Sequence, residues 1–235
     1  MSSPAYAGRV VRYWGFALFV VVVAVHIVVL ATDIVAWQVP TKALLMPALL
    51  IALLVSTPRI RSELTLWAGL GVAFAWAGDV LLASPGEVGF LVGLVCFLVA
   101  HVSYLVLYLR PARTRRVPWW TLLYGVWWVV LIVVLLPHGG ALTVPLVLYG
   151  AVLCGAAAVA WGTVPLVGVG ATLFLVSDTL LALRMFVPGF SFWQQDAIIM
   201  TLYSLGQGLI VFGAVRAARA ARAFETPPSR ATMGS

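Results

Sequence analysis

The sequence predicts an all-α integral membrane protein of eight transmembrane helices, and three observations support this fold class. Hydrophobic residues make up 63% of the 235 residues and charged residues only 9%, and the mean hydropathy is +1.10. Long apolar stretches recur along the whole chain, each sufficient to cross roughly 30 Å of hydrocarbon. These stretches are continuously apolar instead of alternating every second residue, which argues against a transmembrane β-barrel.

The apolar stretches follow one another within a single predicted membrane domain, residues 1–235. Helices are expected at residues 14–33, 40–56, 64–83, 87–109, 118–136, 141–160, 164–184 and 196–217, followed by a flexible cytoplasmic tail at 218–235. The first apolar run, from Gly15 to Thr32, follows two arginines as a signal peptide would, but it is long for one and lacks a convincing cleavage site. It is therefore interpreted as a retained helix. Pro47 predicts a kink or a tilt in the second helix.

Basic residues cluster between the predicted helices, and their positions support the count of eight. With eight helices, 12 of the 14 basic residues lie on one side of the membrane. They are Arg9, Arg12, Arg59, Arg61, Arg110, Arg113, Arg115, Arg116, Arg216, Arg219, Arg222 and Arg230. The positive-inside rule makes this side cytoplasmic, so both termini are predicted to lie on the cytoplasmic side of the cell membrane. This placement accounts for the net charge of +7 without a nucleic acid partner.

Two aspartates, Asp79 and Asp178, lie inside apolar runs and are 99 residues apart. The same offset aligns Gly71 with Gly170 and Tyr104 with Tyr203. We therefore expect a duplicated four-helix unit, with halves at about 14–109 and 118–217. An even number of helices keeps the two copies parallel, related by an axis along the membrane normal. Such symmetry places the two acids at similar depth on equivalent helices, which suggests one shared site.

Further polar residues lie within the predicted helices. An ionisable residue in a membrane span usually faces the protein interior and is a functional candidate. Tyr203 and Gln207 are four residues apart on one face of helix 8, and His101 and Tyr104 are three apart on helix 4. Ser177 directly precedes Asp178. For each of them, hydrogen bonding or packing within the bundle is the alternative role.

The absence of several well-known motifs excludes most common kinds of catalytic site. No HExxH motif, no cluster of Cys and His with metal spacing, no Walker A motif and no GxSxG elbow are present, so neither a metal nor another cofactor is expected. Paired carboxylates remain, with Lys42 and Arg184 at the outer ends of helices 2 and 7. A cation at headgroup depth beside a buried acid pair suits a phospholipid substrate, with its phosphate at the rim and its tail in the bundle.

Five segments in order carry a family resemblance: "TKALLMP" (41–47), "AGDVLLA" (77–83), "GFLVGLVCFLVAHVSYLVLY" (89–108), "FLVSDTLLALRMF" (174–186) and "MTLYSLGQGLIVF" (200–212). Together they resemble the lysoplasmalogenases, also called YhhN-like membrane proteins. Ala43 departs from the family pattern, which has proline after the lysine. The resemblance implies hydrolysis of the vinyl-ether bond of a lysoplasmalogen, giving a fatty aldehyde and a glycerophospho-base.

The resemblance also implies roles for particular residues. Those at the family's polar positions are Lys42, Asp79, His101, Asp178, Tyr203 and Gln207. A vinyl ether is cleaved through protonation at carbon and an oxocarbenium ion, the charge pattern that glycosidases handle with two carboxylates. One aspartate would donate the proton and the other would stabilise the cation, in either order. His101 or Tyr203 would orient water or relay protons. The expected substrate-binding residues are Lys42, Gln207, Arg184, Ser177 and Tyr104, and the expected partners are a lysophospholipid and membrane lipids.

Two other classes of protein remain as alternatives. Paired acids also serve proton-coupled transporters, and a parallel repeat is common among carriers, so a transporter or a lipid-binding protein is the second interpretation. An intramembrane aspartyl protease is the third, although the chain lacks the Tyr-Asp segment of that class. The sequence indicates no oligomeric state.

Overall fold

The computed structural model describes residues 14–57, 60–83 and 86–225, and the regular structure within these ranges is helical, without strands. Eight helical segments are long and apolar enough to span a membrane, which confirms the predicted fold class of a multi-pass all-α membrane protein. The helices are α1 (Trp14–Ala31), α2 (Val35–Ser56), α3 (Glu63–Leu82), α4 (Glu87–Leu109), α5 (Leu123–Leu135), α6 (Thr143–Ala160), α7 (Pro165–Phe186) and α8 (Gln195–Glu225).

The fifth span depends on short 3₁₀ turns, because α5 alone has only 13 residues and a span needs about 20. The turns Trp119–Leu122 and Leu136–His138 extend it to residues 119–138. Proline lies at the start of each turn, Pro118 before the first and Pro137 in the second. Proline is tolerated there because the first residues of a helix have no intrahelical acceptor for their N–H groups.

Helix α2 begins at Val35, five residues before the predicted start, and it continues through Pro40 and Pro47. A proline inside a helix removes one N–H donor and leaves the carbonyl four residues earlier without its usual partner. For Pro47 that carbonyl belongs to Ala43, and the indole Nε1 of Trp76 on α3 donates to it at 2.9 Å. The neighbouring helix therefore supplies the hydrogen bond that the proline removes.

Helix α8 continues to Glu225, past the predicted end at 217. Residues 218–225 of the predicted flexible tail are therefore helical, and the rest of that tail lies outside the described residues. Arg219 explains part of this extension, because its Nε donates to the carbonyl of Ser56 at 2.7 Å. Ser56 is the last residue of α2, where helix carbonyls have no intrahelical donor.

A close helix crossing joins α7 to α8 through two facing glycines. A Cβ atom placed on Gly170 would lie 2.7 Å from the carbonyl oxygen of Gly206, and one on Gly206 would lie 2.8 Å from that of Gly170. Small residues let membrane helices approach until their backbones touch. The α7–α8 and α3–α4 pairs are the most extensive in the bundle, and they occupy equivalent places in the two predicted halves. The duplication itself stays a prediction.

Replacing Gly170 by alanine is expected to destabilise the protein, since the new methyl group meets backbone atoms that cannot rotate away. Overpacking of this kind costs about 1–3 kcal/mol. Thermal unfolding in detergent measures the effect. Gly155→Ala is the matched control, because a Cβ atom there has no neighbour within 4 Å. An unfolding temperature equal to that of the unaltered protein for Gly170→Ala would contradict the close crossing.

Candidate functional site

A cavity of about 310 Å³ lies at the end of the bundle where α3 and α7 end and α2 and α8 begin. This volume falls in the range of small-molecule sites, which measure about 300–1,000 Å³. Most of the wall is apolar, but ten polar side chains line it: His26, Gln38, Lys42, Asp79, Tyr149, Ser177, Asp178, Arg184, Asp196 and Tyr203. A mostly apolar cavity with a few converging polar groups is the usual form of a ligand site.

Asp79 is buried in this cavity with both carboxylate oxygens engaged. The side chain is 4% exposed, and Oδ1 lies 3.2 Å from the Nζ of Lys42 on α2. Oδ2 accepts a hydrogen bond of 2.7 Å from the hydroxyl of Tyr203 on α8. A buried carboxylate is costly unless it is paired with a cation and hydrogen-bonded. Three helices therefore combine to hold an ion pair at Asp79.

Asp178 has different partners, although it lines the same cavity. The hydroxyl of Tyr149 on α6 donates a hydrogen bond to Oδ2 of Asp178. His101 Nε2 lies 3.2 Å from that hydroxyl and 3.8 Å from Oδ2 itself. Within the described ranges, no lysine or arginine comes within 4 Å of this carboxyl group. The two aspartates thus differ in the charge of their surroundings.

An aromatic cluster fixes the rings that contact the two acids. Phe174 is almost fully buried and packs edge-on against both His101 and Tyr203, with ring centroids 4.7 Å and 5.1 Å apart respectively. Edge-to-face pairs of this kind are favourable and restrict ring orientation. Phe97 adds an edge contact to Tyr203, at 6.3 Å between centroids. The groups that bond to the carboxylates are therefore held by packing as well as by hydrogen bonds.

Arg184 lies at the outer part of the cavity, where its guanidinium is paired with Asp196. The side chains of Arg184 and Asp196 are 35% and 49% exposed, so both remain accessible. The pair joins the end of α7 to the start of α8 across the intervening loop. The sequence predicted a cation at the outer end of helix 7, and the structure shows that this cation, Arg184, is paired with Asp196.

No cluster suited to a metal ion occurs in the described part of the chain. Three or more His, Cys, Asp or Glu side chains do not converge anywhere within residues 14–57, 60–83 and 86–225. Asp79 instead has a lysine as its cation.

The structure brings six of the predicted site residues to the cavity wall, namely Lys42, Asp79, Ser177, Asp178, Arg184 and Tyr203. His101 is not part of the wall and reaches Asp178 through Tyr149. Ser177 borders the cavity, but its hydroxyl is used to donate to the Ile199 carbonyl of α8 at 2.9 Å. That hydrogen bond ties α7 to α8, which is the kind of bond within the bundle that the alternative role describes.

Tyr104 and Gln207, both predicted to bind substrate, make their contacts away from the cavity. Neither residue lines the cavity, and both are buried deeper in the bundle. The hydroxyl of Tyr104 donates to Oε1 of Gln207 at 2.5 Å, and the ring of Tyr104 lies directly against Gly71. These contacts join α4 to α8 and α3. A structural role therefore fits the geometry better than a contact with substrate.

Tyr149 donates a hydrogen bond directly to Asp178 but was not among the predicted site residues. Tyr149 lies in an apolar stretch of α6 and shares no spacing pattern with the other candidates. Tyrosines in membrane proteins commonly serve as interfacial anchors, so no local signal distinguishes this one. His26 and Thr41 were also missed as a hydrogen-bonded pair. Only the packing of α1 against α2 and of α6 against α7 reveals these contacts.

Comparisons with known proteins assign the chain to a family. The model of the YhhN family matches residues 37–214, which include α3 to α7 and most of α2 and α8. No curated protein and no solved structure matches the chain. The matched segment contains both aspartates and every predicted site residue, whereas α1 precedes it. The chain therefore belongs to the YhhN family of membrane proteins, the family that includes lysoplasmalogenases.

Proposed function

We propose that this protein is a membrane-embedded hydrolase that cleaves the vinyl-ether bond of lysoplasmalogens. Lysoplasmenylethanolamine or lysoplasmenylcholine and water would give a fatty aldehyde and the glycerophospho-base. The observation that carries the proposal is a pair of carboxyl groups, Asp79 and Asp178, on one cavity with different partners. Membership of the YhhN family supports the same substrate class.

The reaction needs one proton donor and one site for positive charge. A proton adds to the alkenyl carbon that is not attached to oxygen. The positive charge is then shared between the other alkenyl carbon, which bears the oxygen, and the ether oxygen, as an oxocarbenium ion. Water then attacks the cationic carbon and loses a proton, which gives a hemiacetal. Collapse of the hemiacetal releases the aldehyde while the glycerol oxygen leaves as an alcohol. No oxidant, reductant or cofactor is needed for this balance.

Asp178 is the proton donor in this proposal. No lysine or arginine lies within 4 Å of its carboxyl group in the described part of the chain, whereas Asp79 is paired with Lys42. Tyr149 donates to one oxygen of the carboxyl group and orients the other toward the substrate. His101, hydrogen-bonded to Tyr149, then returns a proton to the site after each turnover.

Asp79 is the ionised partner. The Lys42 ammonium balances its charge in the ground state, and Tyr203 fixes the second oxygen. The carboxylate would stabilise the oxocarbenium ion and accept the proton of the attacking water. Stabilising charge that develops in the transition state, with groups already oriented for it, is commonly the largest contribution to catalysis.

The lipid would bind with its headgroup near the cations and its chain toward the bilayer. Lys42 and Arg184 are the basic side chains that line the cavity in the described residues, and both remain partly exposed. A phosphate would share them with Asp79 and Asp196. Val39 and Met185 also line the cavity and are 55% and 47% exposed. The cavity wall therefore reaches the lipid-facing surface, where a long hydrocarbon chain can leave it.

We further propose that both termini lie in the cytoplasm and that the cavity opens toward the outer face of the cell membrane. The supporting arginines lie at the bundle end opposite the cavity: Arg61, Arg110, Arg113, Arg115, Arg116, Arg216, Arg219 and Arg222. Arg9, Arg12, Arg59 and Arg230 also belong to the predicted basic side, but they lie outside the described residues.

Aldehyde release by the purified protein tests the proposed function. The protein in detergent is mixed with a defined lysoplasmalogen, and aldehyde and glycerophospho-base are measured by mass spectrometry. Release of both products in equal amounts is expected. Uptake of lipid into liposomes driven by a pH gradient, without chemical change, would instead identify a transporter. Shortening of a membrane-inserted peptide would identify a protease.

Replacing Tyr149 by phenylalanine is expected to lower kcat roughly 10- to 100-fold, since a hydrogen bond to an ionisable group contributes about 1.5–3 kcal/mol. KM should change little, because Tyr149 acts on Asp178 and not on the ground-state lipid. Steady-state rates of aldehyde release measure both constants. Tyr124→Phe is the matched control, as it removes a tyrosine–threonine hydrogen bond to Thr172 away from the cavity. Equal effects of the two substitutions would contradict the role of Tyr149.

A further inference from the structure

The ion pair between Arg184 and Asp196 lies at the outer part of the cavity, away from the acids that cleave the bond in the proposed reaction. Arg184 is in the last turn of α7 and Asp196 in the first turn of α8. Both side chains line the cavity, and both remain partly exposed. A ligand in the cavity can therefore reach both charges.

Each basic side chain that lines the cavity in the described residues already has an acid beside it. The Nζ of Lys42 lies 3.2 Å from Asp79, and Arg184 is paired with Asp196. A phosphodiester adds one more negative charge. A headgroup with a phosphate alone would leave one carboxylate without a counter-ion, which is costly in a mostly apolar cavity. A zwitterionic headgroup brings its own cation and leaves the balance of charge unchanged.

Asp196 is the acid that can bind this cation. Asp79 is 4% exposed, and its two oxygens are engaged by Lys42 and Tyr203. Asp196 is 49% exposed, and its Oδ1 accepts from the guanidinium of Arg184. Its Oδ2 has no hydrogen bond to any residue that the structure describes. An ammonium group can therefore donate to Oδ2 while Oδ1 stays on the arginine.

The guanidinium of Arg184 has donors left in the same way. Its Nη1 bonds to Asp196, whereas Nε and Nη2 have no partner among the described residues. The planar fork of a guanidinium is well suited to phosphate oxygens. With a phosphate on these donors and an ammonium on Oδ2, each charge of the ligand lies beside a protein charge of opposite sign. The short spacer of an ethanolamine headgroup keeps its two charges adjacent, like those of the ion pair.

We infer that the Arg184–Asp196 pair is the headgroup subsite and that Asp196 selects zwitterionic headgroups by binding their ammonium. The inference rests on the proposed function for its lipid class. A lipid with the same phosphodiester but no ammonium leaves Asp196 uncompensated. For charges partly in water, the expected preference for the zwitterion is about fivefold in Kd, equivalent to about 1 kcal/mol. Added salt should reduce this preference, because exposed charges are screened.

Binding of two saturated lipids tests the inference without requiring hydrolysis. The probes are a 1-O-alkyl lysophosphoethanolamine and its phosphoethanol analogue, in which a hydrogen atom replaces the ammonium. Kd is measured by microscale thermophoresis in a non-ionic detergent, first at low and then at high salt. The unaltered protein should bind the ethanolamine lipid about fivefold more tightly at low salt. A ratio near one under this condition would overturn the inference, and this measurement needs no variant.

Asp196→Asn should remove the preference by changing the two affinities in opposite directions. The ethanolamine lipid loses the carboxylate that binds its ammonium, whereas the ethanol lipid meets an Arg184 without a competing acid. Asp196→Glu keeps the charge and should keep the preference. If Asp196 served only to tie α7 to α8, Asp196→Asn would weaken the binding of both lipids equally, and the inference would be wrong.

Asp33→Asn is the matched control. Asp33 is an exposed acid at the same end of the bundle, and it does not line the cavity. Asparagine keeps the oxygen that accepts from Gln38, so the ratio should equal that of the unaltered protein. An equal fall of the ratio in Asp33→Asn would assign the selectivity to the overall charge of this end and contradict the role of Asp196.

The two proposals fail in distinguishable ways. If aldehyde release fails but the ratio holds, the hydrolase proposal alone is lost. If aldehyde is released but the ratio is near one, the inference about Asp196 alone is lost.

Discussion

Asp178→Asn is expected to lower kcat for aldehyde release by about 10²- to 10⁴-fold, the usual contribution of a general acid. Asparagine keeps the size of the side chain and can still accept the hydrogen bond from Tyr149, but it has no acidic proton to transfer to carbon. The Kd for a saturated 1-O-alkyl lysolipid, which has no vinyl-ether bond, should remain close to that of the unaltered protein. Burst and steady-state measurements with a defined lysoplasmalogen provide kcat. Microscale thermophoresis with a saturated 1-O-alkyl lysophosphoethanolamine provides Kd.

Asp33→Asn is the matched control for this substitution. Asp33 lies in the turn between α1 and α2, is exposed and does not line the cavity. Its φ of 53° is one that asparagine adopts readily, so the control should fold and retain full activity. If Asp178→Asn also retained full activity, protonation of the substrate by this residue would be excluded.

Asp79→Asn is expected to reduce both activity and stability. Loss of an oriented group that stabilises transition-state charge costs about 10²- to 10³-fold in kcat. The substitution also leaves the ammonium of Lys42 without its counter-ion. Breaking a buried pair on one side costs about 3–5 kcal/mol, and the lower end of this range applies because the Lys42 side chain is 25% exposed. Aldehyde release and thermal unfolding in detergent measure the two effects separately.

A double variant separates the structural from the chemical role of this pair. Lys42→Met in combination with Asp79→Asn removes both charges, so much of the lost thermal stability should return. Activity should not return, because the carboxylate is still missing. Recovery of aldehyde release in the double variant would show that Asp79 serves only to neutralise Lys42.

Much of the fold could be predicted from local composition. A segment in hydrocarbon must satisfy its backbone polar groups internally, so a long apolar stretch can only be a helix. The spans are therefore predictable to within a few residues. The largest differences lie in α2 and α8. Helix α2 begins five residues early, because Pro40 lies inside the helix and not at its start. Helix α8 is longer at its C-terminal end, where Arg219 binds the end of α2.

The candidate site was only partly predictable. A carboxyl group in a membrane span is so costly that Asp79 and Asp178 stand out in any reading of the chain. Tyr149 does not, because a tyrosine in an apolar helix has many ordinary roles. The offset of 99 residues also predicts equivalent surroundings for the two acids. In the structure Tyr203 binds Asp79, whereas the equivalent Tyr104 binds Gln207 and leaves Asp178 to Tyr149.

The sequence by itself determined the membrane fold, the number of spans and the two acids, because the cost of placing polar groups in lipid depends on composition alone. Only the tertiary structure decided which acid is paired with a cation and which residues lie on the cavity. Those properties depend on distances of 3 to 4 Å between side chains on different helices. Such distances arise from how the helices cross, and no spacing along one helix encodes them.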